Sequence, residues 1–400
     1  MSSADASALF DGSRLALARQ LAGLRKADIA KIVRKSPNAV AAWESGAKRP
    51  VAANVGELAL ALGVEPGFFA ARQRDYSLLA GVPHFRSLRS TTQLSRDQAV
   101  AYGQLALDVA SSIERYVEFP SVDLPEVPSD TEDSSDRTPE TAAHIVRTAW
   151  QLSDGPVRHV IRLLENHGVL VIFSPSQSAA VDAYSFGSDI RPVVILNPTK
   201  RDYYRQRFDS AHELGHLVMH GDADPGGRIV EEQANRFAAE FLMPADQIRE
   251  SLPIAMGGGV WADLARLKEE WGVSMQALLF RARRLGCIGD VSYRNAMTTI
   301  SARGWRRAEP GEVEIMEQPS LLPKAIELLS AEGFDDDALR SQSRVPVDLF
   351  QIITSRKPTS IEPQTDTHRC QGFDLDNRQV ISLLQTGHNP SRRAKSTCSS

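Results

Sequence analysis

The sequence predicts a mainly α-helical chain with a small β-sheet, an α+β arrangement in more than one unit. Three observations carry this prediction. Apolar residues recur at helical spacing along most of the 400 residues. Three short runs, GVLVIF (168–173), VDAYSFGS (181–188) and PVVILN (192–197), suit strands, the last stopped by Asn197-Pro198. The stretch PSVDLPEVPSDTEDSSD (120–136) has six acids, three prolines and no base, so it builds no core and reads as a flexible linker between units.

From the N-terminus, residues 13–50 have the layout of a helix-turn-helix. Leu15, Leu17, Ala18, Leu21 and Leu24 supply a first apolar face, and a short helix follows from about Lys26 to Ile32. Ser36 caps a third helix that ends near Ser45-Gly46. Val40 and Trp43, three apart, face the core, which turns Asn38, Ala41 and Ala42 toward a DNA major groove. Lys48 and Arg49, just past that helix, are placed for phosphates. Residues 1–72 hold ten Lys/Arg against six Asp/Glu, within a chain of net charge −4, so an anionic partner belongs to this unit alone.

The stretch SPNAVAAWESGAKRP resembles the XRE, or lambda-repressor-like, helix-turn-helix family, and VGELALALGV and PGFFAAR fit its five-helix version. The resemblance implies double-stranded DNA as a partner and is compatible with a homodimer. It adds Lys26 and Ser36, at the starts of the second and third helices, to the DNA-facing residues. Arg25-Lys26 stands where members often carry a phosphate-binding Gln.

Beyond this unit (10–75), a connecting helix of about 95–118, opened by Ser95 as N-cap, shares residues 76–137 with the acidic linker. Helices over 139–151 and 156–167 precede the strands, and a long helix covers about 200–220. GDADPGG (221–227) breaks it, and a second helix, about 229–242, ends at Met243-Pro244. WADLARLKEEWGVSMQALLFRARRLGCI (261–288) has a helix-turn-helix outline, but its position favours packing onto the preceding core. A helical extension (291–355) and a disordered tail (356–400) complete the chain.

The long helix carries SAHELGHLVMH (210–220). Two histidines four apart on a helix project from one face, close enough for one zinc ion to take a nitrogen from each. Glu213, beside His212, is placed to take a proton from a water that the metal acidifies. A catalytic zinc needs a third protein ligand. The next helix offers Glu231, with Asn235 four residues on as a supporting group, and Glu232 as the runner-up. His220 lies beyond the ion's reach and reads as a bystander in packing or support. Tyr184, Tyr203, Tyr204 and Arg236 are the candidates for stabilising an oxyanion. An edge strand near 192–197 offers a place for an extended substrate by strand addition.

RFDSAHELGHLVMH followed by EEQANRFAAEFLMP resembles the ImmA/IrrE family of zinc metallopeptidases in order, content and separation. The resemblance implies a minimal zincin-like domain over 138–290, with Zn2+ on His212, His216 and Glu231 and with Glu213 as general base. Gln233 stands where many members have another Glu. The implied function is a transcriptional regulator with an attached endopeptidase that cuts a repressor or antitoxin. The alternative is a DNA-binding factor whose zinc domain senses a ligand or partner without turnover.

Composition narrows the setting. Three distant cysteines (Cys287, Cys370, Cys398) imply no disulfide framework, and no apolar run approaches the ~18 residues of a membrane span. The first residues lack the basic and apolar regions of a signal peptide, so a reducing cytoplasm is the expected compartment.

Overall fold

Ser2 and Asp5 start the first helix with a reciprocal capping box, earlier than the apolar pattern suggests. The structure, a computed structural model, describes residues 1–70, 84–85, 92–125, 127, 139–175, 183–199, 202–220, 227–306, 308–311 and 316–357. In the N-terminal unit, α1 (Ser3–Ala8), α2 (Gly12–Leu21), α3 (Lys26–Ile32), α4 (Pro37–Glu44) and α5 (Ala52–Leu62) surround a core of Leu15, Leu17, Ile29, Val40, Leu58 and Phe68. Ser36 caps α4 by accepting from Ala39 N, as expected, and Pro37 fits the first helical position.

A two-residue strand, β1 (His84–Phe85), precedes α6 (Gln93–Ile113). The cap of α6 is Thr92, one turn before the expected Ser95; its hydroxyl accepts from Ser95 N. From Ala99 to Ile113 this helix is buried almost all round, which is the pattern of a central support rather than of a connector. Buried Arg14 of α2 pairs with its Asp108, and Gln98 Nε2 donates to Leu21 O at 2.8 Å. On another side, Tyr102 OH donates to Phe173 O at 2.8 Å.

The second core gathers α7 (Pro139–Ala149), α8 (Val160–Asn166), β2 (Leu170–Phe173), β3 (Ala183–Phe186) and β4 (Val193–Leu196). Strand order is β1-β3-β4-β2; β3 runs antiparallel to both neighbours and β2 parallel to β4. The strand near 192–197 is therefore not an edge. All four residues of β4 are buried, and a continuous Val/Ile/Leu run belongs between two paired neighbours. The start of the expected flexible linker is also anchored. Asp123 N donates to His167 O at 3.2 Å, and Asp123 O accepts from Trp150 Nε1 at 2.8 Å. Backbone bonding holds these residues despite their composition; positions 126 and 128–136 lie outside the described residues.

Helices α9 (Tyr203–Met219) and α10 (Arg228–Leu242) pack on one another and on α7. They lead through α11 (Ala245–Ile248) to α12 (Val260–Trp271), α13 (Met275–Arg284) and α14 (Asp290–Ala302). The α12–α13 pair buries Leu264, Leu267, Trp271, Leu278 and Leu279 in this core. Arg281, which a DNA reader would expose, is buried, donates to Met243 O at 3.1 Å and pairs with Glu240.

In the extension, α15 (Leu321–Ala331), α16 (Asp336–Ser343) and α17 (Val347–Thr354) lean on α6, and α17 also covers β2. The approach to α15 is strapped down by buried carboxylates. Glu165 accepts from Ser320 N at 2.8 Å and Leu321 N at 2.9 Å, and Glu317 pairs with buried Arg207. The expected disordered tail, from 358 onward, lies outside the described residues.

Because Arg14 is 1% exposed, removing its acid partner strands a buried charge. Asp108→Ala should cost about 3–5 kcal/mol in urea unfolding, and Asp108→Asn, which keeps an acceptor, should cost less.

Candidate metal centre

Asp202 opens α9 by accepting from Tyr204 N and Arg205 N, and the helix then turns Ala211, His212, Glu213, Leu214 and His216 into the interior, each fully buried. Between the two histidines, Gly215 lets α10 come close. A Cβ there would lie 2.9 Å from the Phe237 ring, inside van der Waals contact. Phe237, Ala238, Phe241 and Leu242 bury as their spacing predicts. That packing brings Glu231 and Asn235 of α10 over the histidine pair.

His212 Nε2 and His216 Nε2 are 3.0 Å apart, and Glu231 lies 3.4 Å from the first through Oε2 and 3.5 Å from the second through Oε1. Three ligands on one face of a tetrahedral zinc stand roughly 3.3 Å from each other, given bond lengths of about 2.0–2.2 Å. The donor set therefore fits that ion.

The hydrogen bonds behind the rings fix where the protons are. His212 Nδ1 meets Asn235 Oδ1 at 3.1 Å, and an amide oxygen only accepts, so Nδ1 carries the proton and Nε2 presents a lone pair. Gln233 Oε1 accepts from His220 Nε2 at 3.0 Å, leaving His220 Nδ1 to accept from His216 Nδ1 at 3.1 Å. His216 Nε2 is thus also a lone pair. Two imidazole nitrogens and a carboxylate converge on one point, a donor set that suits a cation. His220 stands behind His216, the supporting place its spacing allowed, and Gln233 stands behind His220.

Among the described residues, buried Glu231 Oε1 has no hydrogen-bond partner. The runner-up Glu232 is turned outward, 4.0 Å from Arg284. A second grouping, His144, Glu240 and Asp246, fits a metal poorly because Glu240 already pairs with Arg281 and accepts from Ala245 N.

Glu213 lies one residue from His212, and Ser185 Oγ of β3 donates to its Oε2 at 2.7 Å. Three of the four candidate oxyanion groups have their polar ends engaged by other residues. Tyr184 OH donates to Ala99 O, Tyr204 OH donates to Gly311 O, and Arg236 forks onto Glu140 at 2.6–2.8 Å. Tyr203 sits nine residues before His212, roughly 13 Å along the helix. A cleft of about 1120 Å³ opens beside Glu231 and Asn235 and runs past Phe280, Tyr293 and Trp305.

On the N-terminal unit, Asn38, Lys48 and Arg49 are exposed, and Ala41 is half-buried. Lys26 is partly engaged by Glu44 at 3.2 Å, Arg49 donates to Ala8 O at 2.9 Å, and the Ser36 hydroxyl is spent on its cap. Lys31, Arg34 and Lys35 are also exposed before α4, a basic patch whose signal was plain in KIVRK. Arg34 adopts φ 51°, an uncommon left-handed turn for a side chain of its size. Among the described residues, no helix is long and apolar enough to cross a membrane.

Residues 164–283 match a peptidase family model described as the IrrE N-terminal-like domain, and residues 15–69 match one described as helix-turn-helix. No curated protein matches the chain.

If the hydrogen bonds behind the rings set ligand quality, Asn235→Ala and His220→Ala should each lower zinc affinity by about 10–100-fold. Competition with a chromophoric chelator measures this, with His212→Ala as the variant that retains no stoichiometric zinc.

Proposed function

From a chain that joins a helix-turn-helix domain to an IrrE N-terminal-like peptidase domain, we propose a DNA-binding regulator with its own zinc-dependent endopeptidase. The observation that carries this reading is the convergence of His212, His216 and Glu231, with the Glu213 carboxylate one residue along the same helix. His212, His216 and Glu231 would hold the zinc. When bound, the ion supplies a Lewis acid that polarises a peptide carbonyl and acidifies an attacking water.

Glu213 acts as the general base. It takes the proton of the attacking water and then delivers it to the leaving amine nitrogen. Asn235 and His220 hold the two imidazoles correctly turned. The cleft beside Glu231 gives an extended segment of a protein substrate room to approach. The regulatory context favours a repressor or antitoxin as that substrate.

The DNA-binding surface is built on α4 and its flanks. Asn38 and Ala41 face base edges, while Lys26, Ser36, Lys48 and Arg49 serve phosphates, supplemented by the exposed Arg34 and Lys35. A homodimer would present two such helices to successive major grooves of an operator. The cytoplasm, where DNA and a repressor are both at hand, is the compartment.

Glu213→Gln should keep about one zinc per chain and unchanged DNA affinity while abolishing cleavage. Comparing cell proteomes with wild type and this variant should reveal a protein cut only by the wild type. Identical proteomes and identical regulatory outcomes would overturn the peptidase reading. Lys48→Ala should weaken DNA binding across sequences and lower the salt-dependence slope by about 1, as the loss of one phosphate contact does.

A further inference from the structure

Ser185 is fully buried in a strand whose other residues are Ala183, Tyr184 and Phe186. A hydroxyl in such a place is costly unless it is hydrogen-bonded, and an alanine would suit the packing as well. Its Oγ lies 2.7 Å from Glu213 Oε2 and 3.3 Å from Glu213 O. The single proton goes to the carboxylate, where the charge makes the stronger bond.

The strand itself is fixed in two ways. Side chains alternate along β3, so Tyr184 and Phe186 face opposite to Ser185. Both are held by α6: Tyr184 OH donates to Ala99 O at 3.2 Å, and the Phe186 ring fills the space above Gly103. A Cβ at Gly103 would lie 2.2 Å from Phe186 Cζ, so only glycine permits that approach. In the sheet, Ser185 pairs with Val194 of β4 and with His84 of β1. The position of its hydroxyl is therefore set from both faces and both edges of the strand.

We propose that Ser185 is the positioning residue for Glu213: its hydrogen bond locks the carboxylate in the orientation that receives the proton. This rests on the reading of Glu213 as the general base. Ser185 acts through Glu213 and touches neither substrate nor metal, so its removal should disturb what Glu213 does and leave zinc binding alone.

Acetohydroxamate, a small zinc chelator whose hydroxyl can donate to a carboxylate beside the metal, provides a probe independent of turnover. Its affinity for the zinc-loaded full chain can be measured by calorimetry for wild type, Glu213→Gln, Ser185→Ala and Ser185→Thr. Ser185→Ala should bind it about tenfold more weakly, the scale of one hydrogen bond to a charged group. Its zinc affinity should match wild type, and its melting temperature should fall by only a few degrees, the cost of one buried hydrogen bond. Ser185→Thr, which keeps the hydroxyl, should regain most of the loss; if its extra methyl prevents folding, Ser185→Ala decides alone.

Wild-type hydroxamate affinity in Ser185→Ala, with a weakened Glu213→Gln, overturns the proposal and spares the general base. A Ser185→Ala protein that melts far lower or loses zinc marks Ser185 as a residue of strand packing and overturns it too. Unchanged affinity in Glu213→Gln removes the general-base reading itself.

Discussion

The convergence of two imidazole nitrogens and one carboxylate within 3.5 Å is the constraint on which the rest of this domain depends. Such a grouping suits a cation, and the elements around it hold the donors in place. The surrounding structure does this by packing and by directed hydrogen bonds. Gly215 lets α10 close on α9, Phe237 fills the contact, and Asn235, His220 and Gln233 fix which nitrogen carries each proton.

The same economy of support recurs in the connection between the two domains. Helix α6 bonds to the helix-turn-helix unit through Asp108 and Gln98 and to the sheet through Tyr102 and Ala99. A helix buried almost all round from Ala99 to Ile113 gives both units a close-packed support. The DNA-binding unit and the strand that carries Ser185 thus lean on one element. Asn38 of α4 stays exposed, whereas the cleft beside Glu231 is lined by residues of α9, α10, α12, α13 and α14.

Buried charge elsewhere is structural. Arg207 and Glu317, Arg281 and Glu240, and Lys268 with Glu309 tie the extension and the α12–α13 pair to the core. Each partner also bonds backbone atoms, which is the condition for such pairs to be tolerated inside a protein. Their geometry separates them from the histidine cluster, where two ring nitrogens face one another and a carboxylate.

The sequence by itself determined the helical fold, the helix-turn-helix and the histidine pair, because these rest on local spacing. Ser36, Val40 and Trp43 of α4, and Phe237 and Phe241 of α10, can be read from a period of 3.6. Glu231 was reachable because the broken helix pair returns on itself. Only the tertiary structure decided the role of His220, which depends on Gln233 from another helix, and the place of β4, which depends on strand order. It also decided that α6 is a core support and that Ser185 meets Glu213 across 28 residues. Those contacts join elements through non-local packing, and no periodicity in a single sequence encodes which distant side chain completes a hydrogen bond.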